Sequence, residues 1–423
     1  MNDLTRCTRW QAEQSCLPTR FGDFELTLEF QPIVSPTHRR TVGFETLARP
    51  HLESQPVAPT VLFAHAARDN NEPCLDLALW QQALHAYALS RPNAWLFLNL
   101  SAASVGDSRT APDTLAHLVH QSGLECDRIV LEIVEDAVND QQALERFVAA
   151  CRSHGFRIAI DDFGAGDAHF ERIWRIRPDI VKMDRAMVVH ASENARASRL
   201  FLSLIRMIRE NGSLVLVEGL ETPEQAALAW ESEADFYQGF WYSHPRTGFE
   251  VAAAEAEPRL MQAQQHFTAL NEQQESEQIQ CLRSLRHEVL ETCHQIAGGT
   301  PLAKAARDLL TCPGSKRCYL LDTCGVQQGQ TAFAAGYGSA GTAFNPLLSA
   351  EGASWSHREY FRNAVGKPGE IHLSRPYVAL PDTARTVTVS HMTYTYYGYR
   401  ILCLDIHPEQ AFPGSHHHLP HHI

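Results

Sequence analysis

Over roughly the first 250 positions, short apolar runs alternate with longer amphipathic stretches. Runs rich in β-branched and aromatic residues predict strands over Glu25–Val34, Arg40–Ala48, Trp95–Leu100, Ile129–Ile133, Phe156–Ile160, Asp179–Met183, Leu214–Val217 and Phe236–Phe240. Apolar positions three or four apart predict helices over Val61–Ala67, Cys74–Leu89, Ala111–Ser122, Gln141–His154, Phe170–Ile176, Ala195–Gly212 and Thr222–Glu231. The last opens on Thr222-Pro223-Glu224, an N-cap followed by proline at the first helical position. Strands alternating with helices imply an α/β fold with a parallel sheet. That many units in about 240 residues fit a (β/α)8 TIM-like barrel better than an open sheet.

The pattern changes near Glu255. From there to about residue 300 the chain is polar and helical, with Leu282, Leu285, Val289 and Ile296 on one stripe and Gly298-Gly299 as its stop. This helix reads either as a signal transmitter or dimer seam, or as a helix packed on the barrel. Beyond it, strand runs at Arg317–Asp322, Gly369–Leu380, Arg385–Thr395 and Tyr399–Ile406, with a helix over Trp355–Ala364, predict a smaller α+β domain. The expected organisation is a lead-in over 1–20, a barrel over 21–254, a helical linker over 255–300, an α+β domain over 301–408 and a His-rich tail over 409–423 that reads as disordered.

At 423 residues the chain exceeds one ordinary domain, in keeping with that division. A net charge of −13 argues against a nucleic-acid polymer as partner. Met1–Gln14 has no apolar core of a signal peptide, and no run reads as a membrane span, so a cytoplasmic location is expected. The eleven cysteines are odd in number and scattered. Reduced, mostly buried thiols are the expectation, ahead of a zinc site at the evenly spaced Cys312, Cys318 and Cys324.

Chemistry enters through the strand ends. Ile158-Ala159-Ile160-Asp161-Asp162-Phe163-Gly164-Ala165-Gly166 is an apolar run that stops in two carboxylates and a glycine-rich turn. Alone, it could be an Asx turn or a metal site. Its company decides. Glu45, Asn99, Glu132, Asp161, Asp162, Lys182, Glu218 and Gln238 each lie in or at the C-terminal end of an apolar strand, and in a barrel those ends converge on one face. So many carboxylates at one place need a counter-ion. All the ligands are oxygen donors, which suits the hard cations Mg²⁺ or Mn²⁺. Two such ions side by side serve in-line attack on a phosphoryl group, so the chemistry implied is phosphoester hydrolysis.

These stretches resemble the EAL family of cyclic di-GMP phosphodiesterases. The motifs are Gln31-Pro32-Ile33-Val34, Glu45-Thr46-Leu47, Asn99-Leu100-Ser101, Leu131-Glu132-Ile133-Val134-Glu135, Asp161-Asp162-Phe163-Gly164, Lys182-Met183-Asp184, Glu218-Gly219-Leu220-Glu221-Thr222 and Gln238-Gly239-Phe240, in the family's order. The resemblance implies a modified barrel with one strand reversed. It implies that Glu45, Asn99, Glu132 and Asp161 bind one metal and that Asp161, Asp162 and Glu218 bind the other. Glu45, Glu218 and Lys182 would form the catalytic set, with Lys182 near the attacking water as base or charge stabiliser. Gln31, Arg49 and Gln238 would touch substrate, while Glu135, Glu221 and Asp184 would brace the site. One phosphodiester of cyclic di-GMP would open to linear pGpG, in a homodimer. Two positions depart from the family pattern: Thr46 replaces the middle alanine of the signature, and Asp167 stands where an aromatic residue is usual.

In the second domain, Cys318-Tyr319-Leu320-Leu321-Asp322, Trp355-Ser356-His357-Arg358-Glu359-Tyr360-Phe361 and Ser374-Arg375-Pro376-Tyr377 are similar to a PAS-like or Cache-type sensor domain. That likeness implies a small-molecule pocket, with Trp355, Arg358, Tyr360 and Tyr377 as candidates to line it. The alternative is that the aromatics form core and Arg358 a surface ion pair.

Overall fold

The computed structural model describes residues 19–134, 140–165, 170–337, 350–380 and 383–412. They fall into two compact units, divided between Thr268 and Ala269.

The first unit is a closed barrel of eight strands: β1 (Phe24–Ser35), β2 (Arg40–Leu52), β3 (Trp95–Leu100), β4 (Ile129–Val134), β5 (Arg157–Phe163), β6 (Ile180–Met183), β7 (Leu214–Val217) and β8 (Phe236–Tyr237). The order round the barrel is β1-β8-β7-β6-β5-β4-β3-β2, and β2 pairs back to β1. β1 runs antiparallel to both neighbours, and the remaining pairs are parallel. The helices of this unit are α1 (Pro59–Arg68), α2 (Glu72–Ser90), α3 (Pro112–Gln121), α4 (Gln141–Ser153), α5 (Phe170–Ile176), α6 (Arg185–Glu193), α7 (Ala195–Glu210) and α8 (Pro223–Glu231).

Strand alternation divides the apolar residues between two cores. Leu96, Leu98, Leu131, Ile133, Ile158, Ile160, Val181, Met183, Val215 and Val217 face outward and pack against helix residues such as Leu84, Val119, Leu144, Val188 and Ile205. The intervening Ile33, Phe97, Val130, Ala159, Ile180, Leu216 and Phe236 fill the barrel interior as an apolar plug. The plug depends on one absent side chain. A Cβ on Gly43 would come within 2.6 Å of the Phe97 ring, so the β2 position of this layer is left to that ring.

α9 (Phe249–Ala297) begins in the first unit, where Phe249, Ala252, Ala256, Leu260 and Ala263 join the core around the barrel. In the second unit its stripe of Leu282, Leu285, Val289, Cys293 and Ile296 packs with Leu309, Leu373, Val389 and Leu404. There the stripe covers a sheet of its own unit.

That antiparallel sheet contains β9 (Ser315–Leu321), β10 (Gln327–Phe333), β11 (Ile371–Leu373), β12 (Tyr377–Val378), β13 (Arg385–Thr395) and β14 (Gly398–Ile406). Its order is β10-β9-β14-β13-β11, with β12 also paired to β13. A second apolar cluster joins Tyr319, Leu321, Ile401 and Cys403 to Tyr360, Phe361 and Ala364 of α11 (Glu359–Gly366), after the short α10 (Leu302–Ala305). The unit is α+β.

Two elements escape the sequence pattern. α6 is nine residues long and carries adjacent valines, poor helix formers; Asp184 starts it by accepting from the Ala186 amide. β10 reads Gln-Gln-Gly-Gln-Thr-Ala-Phe, with no alternation, because it is a half-exposed edge strand. The reduced-thiol expectation fails at Cys74, which is disulfide-bonded. Cysteine count and spacing cannot show which thiols a fold brings together. The other described cysteines, such as Cys126, Cys151 and Cys318, are free. No helix among the described residues is long and apolar enough to cross a membrane.

Gly43→Ala should lower the barrel's stability by about 1–3 kcal/mol through overpacking, measured by urea unfolding. Adding Phe97→Leu should recover part of the loss. An unchanged midpoint for Gly43→Ala would mean that the plug does not need the missing Cβ.

Candidate active site

Apart from Asp162, each residue of the site sits two positions along the chain from a position in the plug layer. Phe97 leads to Asn99, Val130 to Glu132, Ala159 to Asp161, Ile180 to Lys182, Leu216 to Glu218 and Phe236 to Gln238. On the reversed β1 the offset runs backward, from Ile33 to Gln31. On β2 it runs from Gly43 to Glu45, and β1 pairing sets Gln31 opposite Glu45. Period-two alternation therefore lifts a ring of polar side chains directly above the apolar plug.

Lys182 stands at the centre. Its Nζ lies 2.5 Å from Glu132 Oε1, 2.7 Å from Glu218 Oε1, 2.8 Å from Asp161 Oδ1 and 3.7 Å from Glu45 Oε2. Lys182 and Glu132 are each 1% exposed. Asp162 joins through a bulge: Ile160 pairs with Val181 and Phe163 with Met183, so β5 carries one extra residue. Asp162 takes a left-handed φ of 54°, which turns both neighbouring carboxylates toward the pocket. Oxygens of Asp161, Asp162 and Glu218 lie within 4.8 Å of one another, as do those of Glu45, Glu132 and Glu218.

The electrostatics follow from burial. It raises the Glu132 and Glu218 carboxyls well above the usual range; Lys182 opposes that rise and the neighbouring carboxylates add to it. Asp162 is pushed up to about 6 by burial and then by Asp161. Burial alone would lower the Lys182 ammonium, but Asp161, Glu132, Glu218 and Glu45 together raise it well above its ordinary value.

These residues fit divalent metal ions. Five carboxylates share one lysine, a formal deficit of four charges that two divalent cations would close. Glu132 Oε2 is buried without any hydrogen-bond partner, so it is free to ligate. Asn99 directs Nδ2 toward Glu45 Oε1 at 3.5 Å and the Thr46 carbonyl at 3.4 Å, which leaves Oδ1 as its ligating atom. Glu45, Asn99, Glu132, Asp161, Asp162 and Glu218 would hold the ions.

The remaining sequence candidates take varied places. Gln238 Nε2 donates to Glu45 Oε2 at 2.6 Å and to Gln31 Oε1 at 3.0 Å, so both glutamines orient Glu45. Gly239 permits this: a Cβ there would lie 2.2 Å from the Leu220 backbone, which ties the Gln238 turn to the segment after Glu218. Arg49 lies four residues beyond Glu45 on β2 and pairs with Glu29 at 2.7 Å. Glu221 pairs with Arg185, whose stem packs over Gly219 beside Glu218. Asp184 caps α6 and adds to the negative field at Asp162. Glu135, Asp167 and residues 413–423 lie outside the described residues, whereas 409–412 of the stretch read as a disordered tail belong to the second unit: Pro408–Ala411 is a helical turn, and Ala411 and Phe412 are buried in the core. In the second unit, Tyr360 is core, and its hydroxyl accepts from Tyr319 at 3.0 Å. Trp355 donates to Gln327, Tyr377 shares a hydrogen bond with Thr388, and the Arg358 guanidinium lies 5.2 Å above the Tyr377 ring.

Sequence reasoning missed Asp76 and Trp80 of α2. Trp80 Nε1 donates to the Asn99 carbonyl at 2.9 Å, and Asp76 accepts from the Ser101 amide at 2.9 Å. A carboxylate inside the buried stripe Asp76, Trp80, Ala83, Tyr87 was the available signal.

Residues 16–245, more than half of the chain, match the EAL domain family. The chain belongs to that family. The EAL barrel is 26% identical over 255 residues to the cyclic di-GMP phosphodiesterase NbdA of Pseudomonas aeruginosa, covering 57% of this chain and 32% of NbdA. It is also 26% identical over 224 residues to the EAL-domain containing protein YkuI of Bacillus subtilis, covering 52% of this chain and 55% of YkuI. The chain thus spans between about a third and about half of these relatives' lengths. The crystal structure of YkuI, in complex with c-di-GMP and calcium, has the same fold, with a TM-score of 0.72 over 91% of this chain and 96% of that one at 21% identity.

Mn²⁺ should raise the barrel's melting temperature by mass action, and Glu132→Gln should abolish the rise. A wild-type chain that Mn²⁺ does not stabilise would contradict the metal assignment. Protons compete with metal for Asp162, so apparent Mn²⁺ affinity should fall as pH drops through about 6. Calorimetry across pH should show this step weakened in Asp162→Asn.

Proposed function

We propose that the chain hydrolyses one phosphodiester of cyclic di-GMP to give linear pGpG, using two Mg²⁺ or Mn²⁺ ions. The observation that carries this reading is the buried carboxylate ring, with Glu132 Oε2 unpartnered and its charge deficit matched to two divalent cations. The substrate is argued from the family's ordered motifs and from a relative named as a cyclic di-GMP phosphodiesterase.

When bound, the ions supply Lewis acidity to a phosphoryl oxygen and acidify the attacking water. The protein supplies orientation. Gln238 and Gln31 fix Glu45; the β5 bulge presents Asp161 and Asp162 together; Lys182 holds Glu132, Asp161 and Glu218 at one point. In the metal-free ring the neighbouring carboxylates raise the Lys182 ammonium well above its ordinary value, and it offsets part of their charge. Arg49 would meet a phosphate oxygen at the rim by exchanging its Glu29 partner.

The second unit would act as a PAS-like sensor for a small molecule. Arg358 supports this, because its Nε is buried without a hydrogen-bond partner beside Trp355, Tyr360 and Tyr377. A cytoplasmic location and a homodimer complete the reading; sedimentation velocity tests the dimer.

Incubation with cyclic di-GMP and Mg²⁺ or Mn²⁺ should yield pGpG by chromatography. Glu45→Ala should cut turnover by more than about a hundredfold. Tight binding of the nucleotide with no turnover under either metal would make the chain a receptor instead.

A further inference from the structure

We propose that Asp76 is a positioning residue for Asn99 and thereby sets the metal affinity of the barrel; this rests on the metal-dependent reading above. Asp76 and Trp80 are four residues apart on α2, hence on one helix face, and are 4% and 2% exposed. They grip the chain directly after the Asn99 side chain, at two successive points. Trp80 Nε1 holds the Asn99 carbonyl, and Asp76 Oδ2 holds the Ser101 amide two residues on.

The same Asp76 oxygen also accepts from Ser104 Oγ at 2.6 Å. Ser104 is fully buried, and its carbonyl accepts from Thr110 Oγ1 at 2.7 Å. The turn after β3 is therefore built around one carboxylate oxygen. Burying a carboxylate is costly unless its bonds are needed where they are. Here they fix the exit direction of β3, and with it the side chain that reaches Glu45 and the Thr46 carbonyl. Among the described residues, Asp76 and Trp80 bond to the turn after β3 and not to the carboxylate ring, so the action passes through the Asn99 backbone.

Both bonds end on a single acceptor oxygen. An asparagine at position 76 can supply that oxygen, whereas an alanine cannot. Geometry, not charge, is what the site requires.

The test is Mn²⁺ binding by calorimetry on the full chain, with far-UV circular dichroism and thermal melts as fold controls. Wild type should bind Mn²⁺; no binding would overturn the metal reading itself and this proposal with it. Asp76→Ala should weaken Mn²⁺ binding about tenfold or more, while Asp76→Asn should stay near wild type. Should Asp76→Ala fail to fold, Ser104→Ala, which removes one of the two bonds, should give an intermediate loss. Phosphodiesterase assays should show the same loss as a higher half-saturating Mn²⁺ concentration, largely restored at saturating metal. A double-mutant cycle identifies the route: in an Asn99→Ala background, Asp76→Ala should add little further loss. A folded Asp76→Ala, or Ser104→Ala in its place, with unaltered Mn²⁺ affinity would overturn the proposal. So would additive losses in the cycle, or an Asp76→Asn as impaired as Asp76→Ala.

Discussion

Burying like charges is the constraint on which this barrel depends. Carboxylates from β2, β4, β5 and the ends of β5 and β7 converge on the ammonium of Lys182, three of them within 2.8 Å. In a low-dielectric interior such a ring repels itself unless cations enter it. Lys182 answers part of that repulsion and keeps the strand ends from splaying. On the proposed reading the rest is left for metal ions, and the ring whose charges repel one another is the one that would supply the chemistry. Stability and function are drawn from one electrostatic account.

What makes the ring possible is the layer beneath it. Ile33, Phe97, Val130, Ala159, Ile180, Leu216 and Phe236 form a dry floor, and the polar side chains stand one alternation above. The floor keeps water from reaching the carboxylates from below and fixes their height along the barrel axis. Gly43 belongs to this arrangement as much as any ligand, since its missing Cβ gives Phe97 its place and sets the level of Glu45.

Much of this was legible in the sequence, for physical reasons. A parallel strand buried on both faces reads as an apolar run, and a polar residue at its end stands out, as Asn99, Glu132, Lys182 and Glu218 do. Asp162 was legible as a residue, although the bulge and left-handed backbone that aim it are not properties of residue type. Asp76 stayed hidden because a carboxylate in an amphipathic helix ordinarily marks the solvent face; only its place on the stripe with Trp80 distinguishes it. β10 stayed hidden because an edge strand needs little apolar alternation, and α6 because its cap outweighs its propensity. The glutamines were legible as site residues, whereas their mutual hydrogen bond, across more than two hundred positions of chain, depends on barrel closure.

That closure has a consequence for the order of assembly. Because β1 is reversed, it pairs with β2 as a sequence-local hairpin, which can form early. The other side of β1 waits for β8, near residue 237. Until β8 arrives during synthesis, Glu45 lacks the Gln238 amide that orients it and the barrel stays open along one seam. A nascent chain thus carries nearly the whole acidic ring before it has a sealed pocket, and the pocket closes only with the last barrel strand to be made.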